Sequence, residues 1–572
     1  MSGVVAPGSP SRVPPRRPDV TGGVNVAFDV PARMRDGVTL RANVYRPAGS
    51  GPWPTLLTRT PYDKDAQREH VWCGLDPVQA ARRGFMVVVQ DVRGRFASEG
   101  EFDTLRFERQ DGHDAVQWAA GLAGSNGRVG MYSGSYCGST QWLAAAERPS
   151  ALAAISPALT WSDPMDGLFA RGGAVELGLA LLWALENGFD ALGRLPLDDA
   201  ERARRVAAVV AEWDRLGDDG YWELPVDAVL RRHRSPDLGA IAAIDRPEMA
   251  DRCRVTDLYA SVEVPSLHTA GWYDIFAQGT LDNYRAMAAA GKDARLVVGP
   301  WSHQQFADPI GELLFGLDAS RDDAPIHGDW RELQLAWFRR HLAPDQGVAL
   351  PEKPVSIFVM GRNAWREESS WPPERAREQR WFLRAGGSLT PGAPAPHEPP
   401  SEFSYDPMNP VPTTGGNGEL SPAYATGPVD QARVEARDDV LVFTSDPLRE
   451  ELEVTGPVRV VLHAESSAPS TDWVARLCDV HPDGRSFNLC DGIARVAERA
   501  HDCARYEIDL WSTSNVFLRG HRLRVHVTSS SFPRWDRNLN TGAQRERRHE
   551  VARQRIHHAP ERPSYIELSV IE

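Results

Sequence analysis

Cysteine is scarce in this chain of 572 residues. The six present (Cys73, Cys137, Cys253, Cys478, Cys490, Cys503) lie far apart, with no CxxC pair and no His/Cys cluster at metal-ligand spacing. At this length that pattern argues for reduced thiols rather than a disulfide scaffold, and it predicts no metal site. Basic runs are also missing and the net charge is −14, which makes nucleic acid and anionic membrane surfaces unsuitable partners. No apolar run approaches the roughly 18 residues of a membrane span; the most lipophilic stretch, Leu177 to Leu185, falls far short. The N-terminal MSGVVAPGSPSRVPPRRPDVTGG is rich in Pro, Gly and Arg and lacks the apolar segment of a secretory signal. It predicts a flexible tail over residues 1–24 of a cytoplasmic protein.

The length exceeds what one hydrophobic core can fill, so several domains are expected. From Val24 to Ala158 strand and helix patterns alternate. Thr39–Tyr45, Thr55–Thr60, Phe85–Gln90 and Val129–Tyr132 read as strands; Pro77–Arg83, Asp111–Ala120 and Thr140–Ala146 read as helices. Apolar strands alternating with helices predict a mostly parallel sheet covered on both faces, an α/β class of fold. The pattern resumes at Pro265–Ala270 and Leu296–Val298. Between the two parts, helical periodicity dominates (Val175–Asn187, Ala200–Leu216, Pro225–Arg232), as expected of a lid inserted over the crevice. After about Ser370, Pro and Gly become frequent. Short runs of alternating polarity follow at Val458–Ala464, Trp473–Asp479, Tyr506–Leu510, Leu523–Thr528 and Ile566–Val570, predicting a jelly-roll β-sandwich. The chain thus divides into a tail (1–24), a first core part (25–160), a lid (161–256), a second core part (257–369) and a β-sandwich (370–572). The 18 tryptophans suit both cores and the lining of an apolar pocket.

The stretch GRVGMYSGSYCGSTQWLAAA, Gly127 to Ala146, carries the most chemistry. A short apolar strand meets an Ala-rich helix through a turn of small residues, with Ser135 at its tip. Such a turn lifts a hydroxyl clear of side chains and aims the following backbone N–H groups at an oxygen that becomes negative on attack. A serine nucleophile needs a histidine base, and that base needs a carboxylate to fix its tautomer. In sheets of this type the chain order is Ser, acid, His, each in a loop after a strand. GWYD after Pro265–Ala270 offers Asp274, and GPWSH after Leu296–Val298 offers His303. His113 precedes the serine, His268 lies inside a strand, and His327 and His341 follow no apolar strand run. The N–H of Tyr136 is one oxyanion donor. Tyr62, in TRTPYDKDA, is either a second donor or a packed aromatic beside Pro61.

Together with these residues, a series of ordered motifs resembles the family of cocaine esterases and Xaa-Pro dipeptidyl peptidases (CocE/NonD acyl hydrolases). They are PYDK (61–64), QDVRGRFASEGEF (90–102), NGRVGM and SYCGSTQW (126–142), and GWYD (271–274). RLVVGPWSH (295–303), VMGRNAWR (359–366), DVHPDGRS (479–486), SNVFLRGHRLRV (514–525) and SSSFPRWDRNLNTG (529–542) complete the series, covering nearly all of the chain beyond the tail. The resemblance implies an α/β-hydrolase core, a helical lid and a jelly-roll domain. It implies Ser135 as nucleophile, Asp274 as acid and His303 as base, with Tyr62 and Tyr136 as oxyanion donors. An acyl pocket would include Trp183, Phe276 and, where the alignment slips by about one residue, Phe169. No cofactor or metal is implied.

Two departures stand out. Ser133 occupies a position where the family keeps glycine, adding a hydroxyl beside the oxyanion site. The segment Gly415–Val429, from which the family's β domain supplies pocket residues, carries few apolar side chains. The expected activity is hydrolysis of small esters, or amides, through an acyl-enzyme. An Xaa-Pro aminopeptidase or α-amino acid ester hydrolase is an alternative, with Asp163, Asp166 and Glu176 available for a substrate ammonium. An acyltransferase or cyclase is another. A homodimer is compatible with all three.

Overall fold

A computed structural model describes residues 19–21, 23–66, 75–233, 246, 248–326, 328–543 and 546–572. Cys73, His327 and most of the expected tail lie outside the described residues. The tail ends earlier than expected: Asp19–Thr21 forms a strand, β1, paired antiparallel with β2 (Val24–Arg33). The chain continues through β3 (Thr39–Pro47), β4 (Trp53–Thr60), β5 (Met86–Asp91), β6 (Ser125–Gly134) and β7 (Leu152–Ala158). A small hairpin, β8 (Ala170–Arg171) with β9 (Ala174–Val175), opens the helical insertion. β10 (Ser266–Tyr273), β11 (Ala294–Ser302), β12 (Val355–Val359) and β13 (Ala364–Glu368) close the core.

These strands, without the hairpin, form one sheet of order β1-β2-β3-β5-β4-β6-β7-β10-β11-β12-β13. The run from β5 to β12 is parallel, and the outer strands are antiparallel. The parallel centre follows from the sequence: β5 (MVVVQD) and β10 are buried along their whole length, as strands covered by helices on both faces must be. The helix Glu108–Ala120 packs on one such face and Trp330–Leu342 on the other side of the sheet's core, where Phe338 fills the space over Gly130. In doubly wound sheets ligands gather at the carboxyl ends of parallel strands. Here β10 and β11 extend beyond the predicted runs, so Asp274 and His303 are each the first residue past a strand end.

The insertion is helical as expected, with Leu177–Arg194, Asp199–Arg215 and Ala228–His233 as its main pieces. Beyond residue 370 a second large antiparallel sheet system follows, built around the long strands Leu452–Ser466 and Ala504–Phe517. Strands Ala376–Arg384, Ser486–Val496 and Ala552–Ile556 belong to it as well, although no periodic signal marked them. The fold is an α/β-hydrolase core with a helical lid and a C-terminal jelly-roll β-sandwich.

Buried arginines tie lid and sandwich together. Arg171, in β8, donates to the carbonyls of Asp491 (2.6 Å) and Asp509 (3.0 Å) and lies 3.7 Å from the centre of the Trp511 ring. Arg534 donates to Asp491 Oδ1 (2.7 Å) and Asn417 Oδ1 (2.6 Å), while Trp535 donates its indole N–H to Glu176 (2.8 Å). Removing one partner from a buried pair of this kind costs roughly 3–5 kcal/mol, because the other charge is stranded. The arrangement fixes the loop around Asn417 against the first turn of the helix Leu177–Arg194. Gly178 in that turn leaves the space that Leu420 fills; a Cβ there would sit 2.8 Å from Leu420 Cγ.

Candidate active site

β6 ends at Gly134, and the helix Tyr136–Ala146 begins two residues later, leaving Ser135 alone at the corner with φ 55° and ψ −127°. A non-glycine residue holds such a conformation only when its surroundings over-determine it. The Ser135 N–H donates to the carbonyls of Ala158 and Leu159 (3.0 and 3.1 Å), and its carbonyl accepts from Gly138, Ser139 and the Thr160 hydroxyl (2.9–3.0 Å). Gly138 is required for this closeness, since a Cβ there would lie 2.8 Å from Thr160 Cβ. Ser133 also has a positive φ, 111°, which is the physical reason for a glycine preference at this position. Its side chain is buried and does not line the cavity.

Asp274 and His303 follow two adjacent strands, and the imidazole Nδ1 meets Asp274 Oδ2 at 2.6 Å. Asp274 is fully buried and its other oxygen accepts the Phe276 N–H at 2.7 Å. With Nδ1–H given to the carboxylate, Nε2 is the basic nitrogen. The Phe276 ring packs edge-on against His303 (5.3 Å) and against Trp161 (5.3 Å), holding the imidazole plane.

Tyr62 follows β4, the neighbour of β6. Its hydroxyl accepts the indole N–H of Trp183 at 3.1 Å, which sets the direction of its own O–H. The loop that carries it is anchored by Arg95, whose guanidinium donates to Pro61 O (2.9 Å) and to Asn187 Oδ1 of the lid (2.9 Å). Tyr136 starts its helix, so its N–H has no intrahelical acceptor. Its side chain points the other way, donating to Glu108 Oε1 (2.9 Å), which in turn pairs with buried Arg59. Burial and the Glu108 carboxylate push the Tyr136 phenol well above its ordinary range, so it stays protonated.

Ser135, His303, Tyr62, Trp183 and Phe276 all line one cavity of about 610 Å³. Phe169 does not: it is buried behind the wall, bonded through its backbone to Pro164 and Glu176, and its neighbour Leu168 takes the lining position. Three lid carboxylates singled out in the sequence are also absent from this wall. Asp163 pairs with Arg254, Asp166 accepts from Trp511 with burial pushing it up to about 6, and Glu176 is held by Trp535 and Arg534. The sequence reading missed Trp161, Leu179, Leu182 and Glu186, although Leu179, Leu182, Trp183 and Glu186 make a helical stripe that faces the cavity. It also missed Glu419 and Leu420, which reach the cavity from the supposedly featureless segment of the β-sandwich.

Metal-type donors converge in space at two places that no sequence spacing marked. Asp479, His481 and His521, and separately Glu465, Cys503 and His557, bring ligand atoms within 4.8 Å of one another; neither group is on the cavity wall. Among the described residues Cys137, Cys253, Cys478, Cys490 and Cys503 are free thiols. Among the described residues no helix is long and apolar enough to cross a membrane.

A serine at a strained strand–helix corner, with a carboxylate-bound imidazole in the same cavity on an α/β-hydrolase sheet, defines a serine hydrolase. The chain belongs to the X-Pro dipeptidyl-peptidase (S15) and cocaine esterase family. Residues 36–305 match the X-Pro dipeptidyl-peptidase (S15 family) model, and 347–567 match that of the X-Pro dipeptidyl-peptidase C-terminal non-catalytic domain. Cocaine esterase from Rhodococcus sp. (strain MB1 Bresler) is 35% identical over 587 residues, covering 97% of this chain and 100% of that protein. Two solved structures are 26% identical: an aminopeptidase from a marine sediment Thaumarchaeota archaeon and an α-amino acid ester hydrolase. The first has a TM-score of 0.79 and covers 98% of this chain and 99% of its own. The second has a TM-score of 0.77 and covers 97% and 98%.

Proposed function

We propose that the chain hydrolyses small carboxylic esters through a covalent acyl-enzyme, with Ser135 as nucleophile, His303 as base and Asp274 as its orienting acid. Ser135 Oγ attacks the ester carbonyl while His303 Nε2 takes its proton. The oxygen that becomes negative is held by the Tyr136 N–H and the Tyr62 hydroxyl. Collapse of the tetrahedral intermediate expels the alcohol, protonated by His303, and leaves the acyl group on Ser135. Water then attacks with His303 again as base, releasing the acid. Trp183 and Phe276 pack on the acyl group. The observation that carries this reading is the convergence on one cavity of groups that follow four strands of the same sheet, β4, β6, β10 and β11. The division of the chain near residues 25, 161, 257 and 370, a cytoplasmic location suited to the free thiols, and action as a homodimer are part of the same reading.

An α-ammonium subsite built from Asp163, Asp166 and Glu176 is not supported, since each of those carboxylates is already bonded away from the cavity. The test is Ser135→Ala. It is expected to abolish p-nitrophenyl ester turnover and fluorophosphonate labelling while leaving the circular dichroism spectrum unchanged. Labelling of the variant at the wild-type rate would overturn the assignment.

A further inference from the structure

We propose that Asp479, His481 and His521 bind a divalent transition-metal ion, with zinc the best match, which staples together two turns of the β-sandwich. The three residues stand in DVHPDGRS and SNVFLRGHRLRV, motifs that the hydrolytic mechanism leaves unused. None of them lines the substrate cavity, so the inference goes beyond the hydrolase reading and does not depend on it.

The convergence follows from a β-ladder. Strands Thr471–Val480 and Arg522–Thr528 are antiparallel, with Asp479 opposite Leu523 and Val480 opposite Arg522. One step further along, the same register sets His481 opposite His521. Residues two apart on a strand share a face, and directly opposed residues share it too, so all three side chains meet on one side. The two imidazole centres are 4.6 Å apart, and His521 Nδ1 lies 2.8 Å from Asp479 Oδ1. One donor atom from each residue falls within 4.8 Å of the other two. Both turns are closed by backbone bonds. The His481 N–H donates to Arg485 O (2.8 Å) and its carbonyl accepts from Gly484 (2.9 Å). The His521 N–H donates to Leu518 O (3.0 Å) and its carbonyl accepts from Leu448 (2.8 Å).

The electrostatics favour a cation. Asp479 is 5% exposed and His521 9%. Other buried carboxylates of the β-sandwich lie against arginines: Asp472 against Arg495 at 2.8 Å, Asp491 against Arg534 at 2.7 Å. Among the described residues no arginine or lysine pairs with Asp479, whose charged-type partner is the His521 imidazole. Nearby guanidiniums are engaged elsewhere. Arg485 pairs with Asp483 (2.8 Å) and lies over the Phe487 ring, and Arg522 donates to Ser445 O (2.9 Å). A buried carboxylate beside two imidazoles, with no fixed cation, is a setting in which a divalent ion offsets the desolvation cost. The second cluster differs, since Arg555 donates to Glu465 at 2.8 Å and already supplies that carboxylate with a positive charge.

Two imidazole nitrogens and a carboxylate oxygen suit zinc, or cobalt, nickel and copper in its place, rather than calcium or magnesium, which take oxygen donors. Binding releases to solvent the proton shared by His521 and Asp479, and both rings ligate in their neutral form. A tetrahedral ion with bonds of about 2.0 Å sets its donors roughly 3.3 Å apart. The 2.8 Å pair therefore opens slightly and the half-exposed His481 closes in, with water in the fourth position. The ion thus ties the turn after one strand of the ladder to the turn before the other.

The experiment is a calorimetric titration of the chelator-treated full chain with zinc at about pH 7.5, where ordinary imidazoles are neutral. His481→Asn and Cys503→Ser are titrated beside wild type. Wild type and Cys503→Ser are expected to bind one equivalent with micromolar affinity, and His481→Asn to bind it roughly 100-fold more weakly. Cobalt in place of zinc should give visible d–d bands without a thiolate charge-transfer band. Saturating zinc should raise the thermal midpoint of wild type and leave that of His481→Asn unchanged. The His481 side chain is half-exposed, so the circular dichroism spectrum of its variant should match that of wild type. No binding by wild type at micromolar zinc, or equal affinity in His481→Asn, would overturn the proposal and leave Asp479 and His521 as a hydrogen-bonded pair that only braces the turn. A thiolate band, or loss of the equivalent in Cys503→Ser, would overturn it by putting the ion at Glu465, Cys503 and His557. None of these readouts uses ester turnover, so failure of the hydrolase assignment would leave the result intact.

Discussion

The floor of the cavity and its walls are built on different terms. The floor consists of residues placed at the ends of parallel strands of one sheet, Ser135 after β6 and His303 after β11, with Asp274 after β10 buried behind His303. Their positions are set within a single core, by β-ladder register and by buried packing. The walls are contributed by parts of the chain that meet only through tertiary contacts. Leu182, Trp183 and Glu186 come from the lid, and Glu419 and Leu420 from a loop of the β-sandwich. The chemistry thus resides where the fold has least freedom. Substrate preference resides where side chains can change without disturbing the sheet. A change in the floor should affect all substrates equally, whereas a change in the walls should discriminate among them.

The largest effect expected within the floor is that of Asp274→Asn. The neutral amide can no longer stabilise the imidazolium and presents the wrong group to Nδ1, so kcat should fall by about 10⁴-fold. The loss should be the same for esters of a small and a bulky acyl group. A loss that differs between them by tenfold would mean that floor and walls are not separable. Tyr62→Phe comes next. Removing one oxyanion donor costs roughly 10²–10³-fold in kcat, measured with KM on a single activated ester. Because the Tyr62 hydroxyl is bonded to Trp183 of the lid, this residue is where floor and wall touch. Trp183→Phe, which removes the indole N–H together with part of the ring, should therefore lower kcat by a smaller factor of the same kind. An effect of Trp183→Phe on KM alone would show that the lid does not orient the donor.

The same division explains what could be read from the chain. Ser135, Asp274 and His303 were legible as candidates because strand–loop context and chain order are local signals: an apolar run, then GWYD or GPWSH. Tyr62 remained ambiguous, because its role depends on a hydrogen bond to a residue far along the chain. Phe169 was misplaced by one position, since a resemblance fixes a neighbourhood but not which of two adjacent side chains faces the cavity. Glu419 was invisible because GGNGELSP reads as loop composition, and nothing local says that a β-sandwich loop reaches back over the active site. The β-sandwich itself was recognised from five strands with clear alternation. Ser486–Val496 escaped because most of its residues are buried on both faces, which erases the period of two.

The smallest predicted effect lies directly beneath the floor and concerns stability rather than rate. His268 sits in β10, six residues before Asp274, fully buried between Trp142 (5.7 Å) and Tyr284 (6.0 Å), with Nε2 at 2.8 Å from Ser266 Oγ. Burial alone pushes its imidazole down to about 3. In the unfolded chain it returns to about 6.5, so below that pH the unfolded state binds a proton that the folded state refuses. Stability is therefore lost as pH falls from about 6.5 toward 3, by up to ~1.4 kcal/mol per pH unit from this residue. Between pH 7.5 and 5.5 the contribution integrates to about 1.4 kcal/mol. Urea unfolding at those two pH values should show His268→Gln losing that much less stability than wild type, from a lower starting point at neutral pH. Equal losses in the two proteins would mean that acid sensitivity originates outside the floor, in the ion pairs that hold the lid and the β-sandwich together.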